Sequence, residues 1–106
     1  MTFEKNNILT PENRAAIVAY VEQQKQKTLD WVAEDPDNRC GGYAEPEWVI
    51  EDLEKWTTVQ TLEDYLAYEA WLDYYELYKD KHGIKPRWTS WNEHTESEWK
   101  NLIEQL

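Results

Sequence analysis

The stretch TLEDYLAYEAWLDYYELYKDKHG, residues 61–83, decides the fold. Thr61 with Asp64 three residues on makes a capping-box pattern, Asp standing in for the usual Glu, and opens a helix at Leu62. No Pro or Gly interrupts it before Gly83. At about 100° per residue, Glu69, Asp73, Glu76 and Asp80 fall in one narrow stripe. Tyr65, Tyr68, Trp71, Leu72, Tyr74, Tyr75, Leu77 and Tyr78 cover most of the remaining circumference, so the helix needs contacts on several sides. Lys79, Lys81 and His82 complement the negative end of the helix dipole, and Gly83 can take the left-handed conformation that closes a helix. The expected span is 62–82.

Working outward, four of the chain's eleven basic residues crowd into KDKHGIKPRW, residues 79–88. Pro86 forbids an immediate restart and pushes Lys85 towards an extended conformation. Gly83, Lys85, Pro86, Arg87 and Trp88 therefore form a structural turn, with Trp88 expected to pack back on the long helix and Lys85 and Arg87 to pair with the acidic body. A second capping box, Thr95 to Glu98, precedes Trp99, Leu102, Ile103 and Leu106 at helical spacing and predicts a helix over 95–105, with Ser90-Trp-Asn-Glu93 offering an alternative earlier start. Upstream, Pro46 starts a short helix to Trp56, with Val49, Leu53 and Trp56 on one side. Thr10-Pro-Glu12 starts the first helix, whose stripe of Val18, Val21, Lys25, Leu29 and Val32, broadened by Ile17 and Tyr20, runs to about residue 33. Pro36, Gly41-Gly42 and Asp-Pro and Asp-Asn dipeptides, with Pro46 just beyond, make residues 34–45 a surface loop.

No strand alternation and no repeat occurs, so the expected architecture is all-α: one small domain over residues 10–106, a bundle of about four helices, after a flexible N-terminus at 1–9. Trp56, Trp71, Leu72, Tyr75 and Trp99 are expected in the core, and Trp31, Tyr43, Trp48 and Tyr68 partly exposed. A chain of 106 residues suits one core that buries roughly two-thirds of the unfolded surface. The lone Cys40 and the absence of a leader-like apolar run in MTFEKNNIL point to a reducing, intracellular setting. The longest apolar run, residues 15–21, is far short of the ~20 residues that span a membrane.

The formal net charge is -11, and it is unevenly placed. Between Asp30 and Asp80 fifteen acids face three bases, a net -12, while the remainder of the chain carries +1. Such a field repels nucleic acid and anionic lipid and steers cationic protein surfaces towards the middle of the chain. Direct nucleic-acid binding and membrane binding are therefore not expected.

Catalytic and metal-binding patterns are incomplete. Cys40, His82 and His94 lack a surrounding nucleophile motif, and Gly41-Gly42 has no following Lys and Ser or Thr for a phosphate loop. His94 and Glu98 share a helical spacing, and Asp35, Asp37 and Asn38 cluster oxygen ligands. An EF-hand alignment from Asp35, however, puts Cys40 where Gly is needed and Pro46 where Glu is needed. No enzyme activity, metal or cofactor is expected.

The Tyr-rich helix end YYELYKDKHG at 74–83, the following IKPRW at 84–88 and the short terminal amphipathic helix resemble the C-terminal signature of small accessory proteins of tailed bacteriophages, of the early or host-takeover type. The likeness covers residues 72–106; Ile84 and the long acidic middle depart from the commoner aromatic and shorter versions. The resemblance implies a viral gene product made in a bacterial host cytoplasm, without implying one activity.

Seven tryptophans and seven tyrosines mixed with carboxylates suit a protein interface, where rigid rings supply area and acids meet Lys or Arg. The candidate partner-binding residues are Glu47, Trp48, Glu51, Asp52, Glu54, Tyr68, Glu69, Asp73, Glu76 and Asp80. Two classes of function follow. In the first, the chain binds a host or defence protein with a basic surface, its carboxylates standing in for nucleic-acid phosphates or serving only solubility. In the second, it is a homo-oligomeric small-ligand binder or structural part. Light scattering and a pull-down from bacterial lysate separate the two.

Overall fold

The structure, a computed structural model, describes residues 7–106. It is all-α: α1 (Pro11–Glu34), α2 (Pro46–Trp56), α3 (Leu62–His82) and α4 (Glu96–Glu104), with a 3₁₀ turn at Trp91–Glu93 before α4 and no strand among the described residues. Within this small helical protein two compact units are distinguishable, Met1–Thr61 and Leu62–Leu106.

In the first unit α1 packs on α2. Thr10 caps α1, its hydroxyl accepting from the Asn13 amide at 3.2 Å, and Pro11 occupies the first turn, where a missing N–H is harmless. Ile17 and Val21 are the buried residues of α1, and Pro46, Ile50 and Leu53 those of α2. The remainder of the expected α1 stripe does not reach the core: Leu29 is exposed and Val18, Lys25 and Val32 are half-buried. Trp56, expected in the core, is 66% exposed. The α2 face is rotated onto Ile50 and Leu53, which leaves Trp56 at the rim beside the Lys55 ammonium, 5.3 Å from its ring.

The packed part of this unit begins earlier than residue 10. Of the flexible N-terminus expected at 1–9, Asn7 and Leu9 are buried, and residues 1–6 lie outside the described residues. The Asn7 side-chain amide donates to the carbonyls of Leu53 at 3.1 Å and Val59 at 2.7 Å, and its oxygen accepts from Gln60. Leu53 O, near the end of α2, already accepts from the Thr57 amide at 3.3 Å and the Thr57 hydroxyl at 2.7 Å, so the Asn7 amide adds a further donor there and ties the segment before α1 to the end of α2. Val59, fully buried, is held against this knot, its amide donating to the Thr57 hydroxyl at 3.2 Å.

In the second unit α3 packs against α4 and the 3₁₀ turn. The contact face of α3 is built from small residues, Ala67 and Ala70, which let the indole of Trp99 enter between the helices. Trp99 is only 1% exposed, and its ring N–H donates to the Trp91 carbonyl at 2.9 Å, so burial leaves no polar group unmet. Burial and the neighbouring Tyr78 raise the Tyr74 hydroxyl above its ordinary 10.0; its ring lies 5.2 Å from that of Trp99.

The other aromatics of α3 are accommodated differently from the expected ring of helix contacts. Rings three and four residues apart cover one another: Tyr68 on Trp71 at 6.0 Å, Trp71 on Tyr75 at 5.5 Å, Tyr74 on Tyr78 at 5.8 Å and Tyr78 on His82 at 4.3 Å. Trp71 and Tyr75 are thus half-buried, and Leu72, expected in the core, is exposed. Gly83 ends α3 with φ 75°, its amide donating to Lys79 O at 2.8 Å, as the sequence predicts. Pro86 is fully buried, and the chain is tied back by the Trp71 ring N–H to the Thr89 hydroxyl, 2.9 Å, which itself donates to Pro86 O at 2.7 Å.

Two expectations for this turn are corrected. Trp88 touches the long helix edge-on at Tyr78, 5.6 Å between centroids, but stays 63% exposed, because Thr89 and Pro86 take the inward positions instead. Lys85 and Arg87 are exposed and make no ion pair among the described residues, so their charge is carried in solvent. The terminal helix starts one residue later than expected: Thr95 is the cap, with both arms of the capping box formed to Glu98.

Candidate protein-binding surface

α2 owes its outward face to the composition that fixes its inward one. With Pro46, Ile50 and Leu53 turned to the core, Glu47, Trp48, Glu51 and Asp52 point to solvent, and Trp48 is 65% exposed. Among the described residues Glu47, Glu51 and Asp52 make no ion pair. Glu54 departs from this group: half-buried, it accepts from the Leu9 amide at 3.2 Å and serves the fold. Trp56 joins the face at the end of the helix, so one short element presents two indoles and three carboxylates.

In the second unit Glu69, Asp73, Glu76 and Asp80 are all exposed along α3, as the periodicity predicts. Glu69 accepts from the Tyr65 hydroxyl. Tyr68 is half-buried against Trp71 and contributes little free area. The α2 group belongs to the first unit and the α3 stripe to the second; each is a surface of its own unit.

The first unit also builds two seats for a cation that sequence reasoning missed. Lys25 sits between Glu45, at 3.0 and 3.2 Å from its carboxylate oxygens, and the Tyr43 ring, 4.9 Å from its centroid. The Glu45 hydrogen bond outweighs desolvation and holds the Lys25 ammonium above its ordinary 10.5. Arg39 donates to Glu34 at 2.8 Å and to Trp31 O at 3.0 Å, with its guanidinium 4.9 Å from the centroid of the Trp31 ring. Both seats pin the 34–45 loop to α1, and Gly41 lies so close that an added Cβ would stand 2.6 Å from the Thr28 methyl. The spacings in sequence, eight and eighteen residues from ring to cation, carry no periodic signal.

Beside α2 an open cleft of about 450 Å³ is lined by Arg14, Glu22, Glu45, Glu47 and Trp48 among others. A second, of about 440 Å³, lies in the other unit between the start of α3 and the turn into α4, with Glu63, Leu66, Trp91, His94 and Glu96 on its walls. His94 is 3.8 Å from Glu98, whose carboxyl is held below its ordinary 4.5 by hydrogen bonds from the Thr95 backbone and side chain, helped by His94. That carboxylate is committed to capping α4. Among the described residues no group of three or more His, Cys, Asp and Glu is placed to hold a metal ion, and no helix is long and apolar enough to cross a membrane. Cys40 is exposed on the first unit, and both histidines belong to the second.

No family model, no curated protein and no solved structure matches the chain.

Proposed function

We propose that this chain is a non-catalytic accessory protein that binds a basic protein surface through the outer face of α2. The observation that carries this is the pairing of two largely exposed indoles, Trp48 and Trp56, with three exposed carboxylates that make no ion pair among the described residues. A solubilising surface has no use for exposed tryptophans, which are the residues most enriched at the energetic centres of interfaces. The carboxylates around them select a cationic partner and speed its approach. The resemblance of residues 72–106 to phage accessory proteins supplies the proposed setting: a host or defence protein in the cytoplasm of an infected bacterium. Imitation of nucleic acid is part of the proposal for the α3 stripe.

The test is capture from bacterial lysate on immobilised protein, compared with a Trp48→Ala/Trp56→Ala variant and an Asp52→Lys variant. A basic protein retained by the wild type and lost by both variants supports the proposal. A partner retained equally by all three places binding elsewhere and overturns it.

A further inference from the structure

The first unit shows twice how it holds a cation: an aromatic ring and a nearby carboxylate close on it from two sides. The Tyr43 ring and Glu45 receive Lys25, and the Trp31 ring and Glu34 receive Arg39. A third set of the same composition stands at the α2 cleft, whose lining includes Trp48, Glu47 and Glu22. Among the described residues no cation makes an ion pair with Glu22 or Glu47: Arg14 lines the cleft without one, and the Lys25 ammonium is bonded to Glu45 and feels the Glu22 charge only as a lesser attraction. From this we infer that the cleft seats an arginine side chain of the partner, its guanidinium over the Trp48 indole and facing Glu47 and Glu22.

The inference rests on the proposal that α2 meets a basic partner, and it specifies the anchoring residue. Arginine is favoured over lysine because the planar guanidinium stacks on an indole and meets a carboxylate with paired N–H donors, whereas an ammonium is a compact and strongly hydrated point charge. The molecule's own indole–carboxylate seat, Trp31 with Glu34, holds an arginine, Arg39. The charge balance also fits one incoming cation, since Glu22 and Glu47 remain after Lys25 pairs with Glu45, and Arg14 offsets only one of them.

The probe is a fluorescently labelled hexa-arginine amide, compared by anisotropy with hexa-lysine amide and a neutral Gly-Ser peptide at physiological salt. Wild type is expected to prefer the arginine peptide by roughly two- to fivefold, the range an exposed cation–π contact supplies. Trp48→Ala and Glu47→Gln should each erase that preference, Trp48→Phe should keep part of it, and Arg14→Gln should tighten binding of the arginine peptide. Trp48 is largely exposed, so its removal leaves the core intact, and a thermal melt checks this. If both charged peptides bind equally and Trp48→Ala changes nothing, while Glu51→Lys/Asp52→Lys abolishes binding, the cleft is not the anchor and the α2 surface still is. If neither charged peptide outbinds the neutral one, the basic-partner proposal falls together with the inference.

Discussion

Trp99 and Trp88 are the same residue type in the same unit and carry different loads. Trp99 is enclosed by α3 and α4 and has its N–H satisfied, so Trp99→Ala leaves a cavity that two alanines cannot fill, and the second unit should lose about 3–5 kcal/mol in denaturant unfolding. Trp88 has one edge contact with Tyr78, and Trp88→Ala should cost about 1 kcal/mol or less in the same measurement. A loss at Trp88 as large as that at Trp99 would mean that its exposed position is wrong. Asn7 is the polar counterpart of Trp99. Truncation to Ala removes the donor that Val59 O and Leu53 O share, and should cost about 1–3 kcal/mol by urea titration, although no helix contains the residue.

The helices themselves were legible because their signals are local. Pro11 and Pro46 at first-turn positions, Thr10 and Thr95 as caps and Gly83 as a left-handed stop each act within four residues, and the observed bounds follow them closely. The buried faces were harder to see. Asn7 and the carbonyls it bonds are separated by 46 and 52 residues, beyond any periodic pattern. Trp56 and Leu72 satisfy a helical spacing as well as Ile50 and Ala70 do, and only the partner helix decides which spacing faces inward. The exposed carboxylates of the candidate site were legible as alternation, but the cleft at Trp48 joins α1 to α2 and needs the fold to exist. At α4 the local cap yields a pH prediction. Glu98 has a carboxyl pKa below its ordinary 4.5 in the folded state, so its contribution is complete above that value and is lost as pH falls through the lower folded value. Glu98→Gln should therefore flatten the acid limb of the second unit's stability below about pH 4.5 while hardly changing its slope near pH 7, as followed by circular dichroism. Thr95→Ala, which removes the hydroxyl cap, should cost about 1 kcal/mol.

On the scale of the whole molecule, a net charge of -11 makes every association salt-dependent, and the question is which surface sets the slope. The α3 stripe is the candidate nucleic-acid imitation. From Glu69 to Asp80 four carboxylates span about 16 Å at ~1.5 Å of rise per residue, one charge per roughly 5 Å. One strand of duplex DNA carries one per ~3.4 Å, so the stripe alone is a dilute copy of a single strand. A partner that reads phosphates along this stripe would be lost on Glu69→Lys/Asp73→Lys/Glu76→Lys, would lose affinity steeply between about 50 and 200 mM salt, and would be displaced by added DNA or RNA. Docking on the indoles of α2 behaves otherwise: buried apolar contact is screened little, so the Trp48→Ala variant should weaken the complex at all salt concentrations with a nearly unchanged slope. The α3 reversal and Trp48→Ala touch different units and neither removes a core side chain, so both variants can be measured folded. We expect the α3 reversal to reduce the salt slope while leaving most of the affinity at high salt, because a line charge this sparse steers a basic partner but does not replace the aromatic contact that holds it. Loss of all binding in that variant, with DNA competing against wild type, would instead make the stripe the recognition surface and reduce α2 to a solvated face.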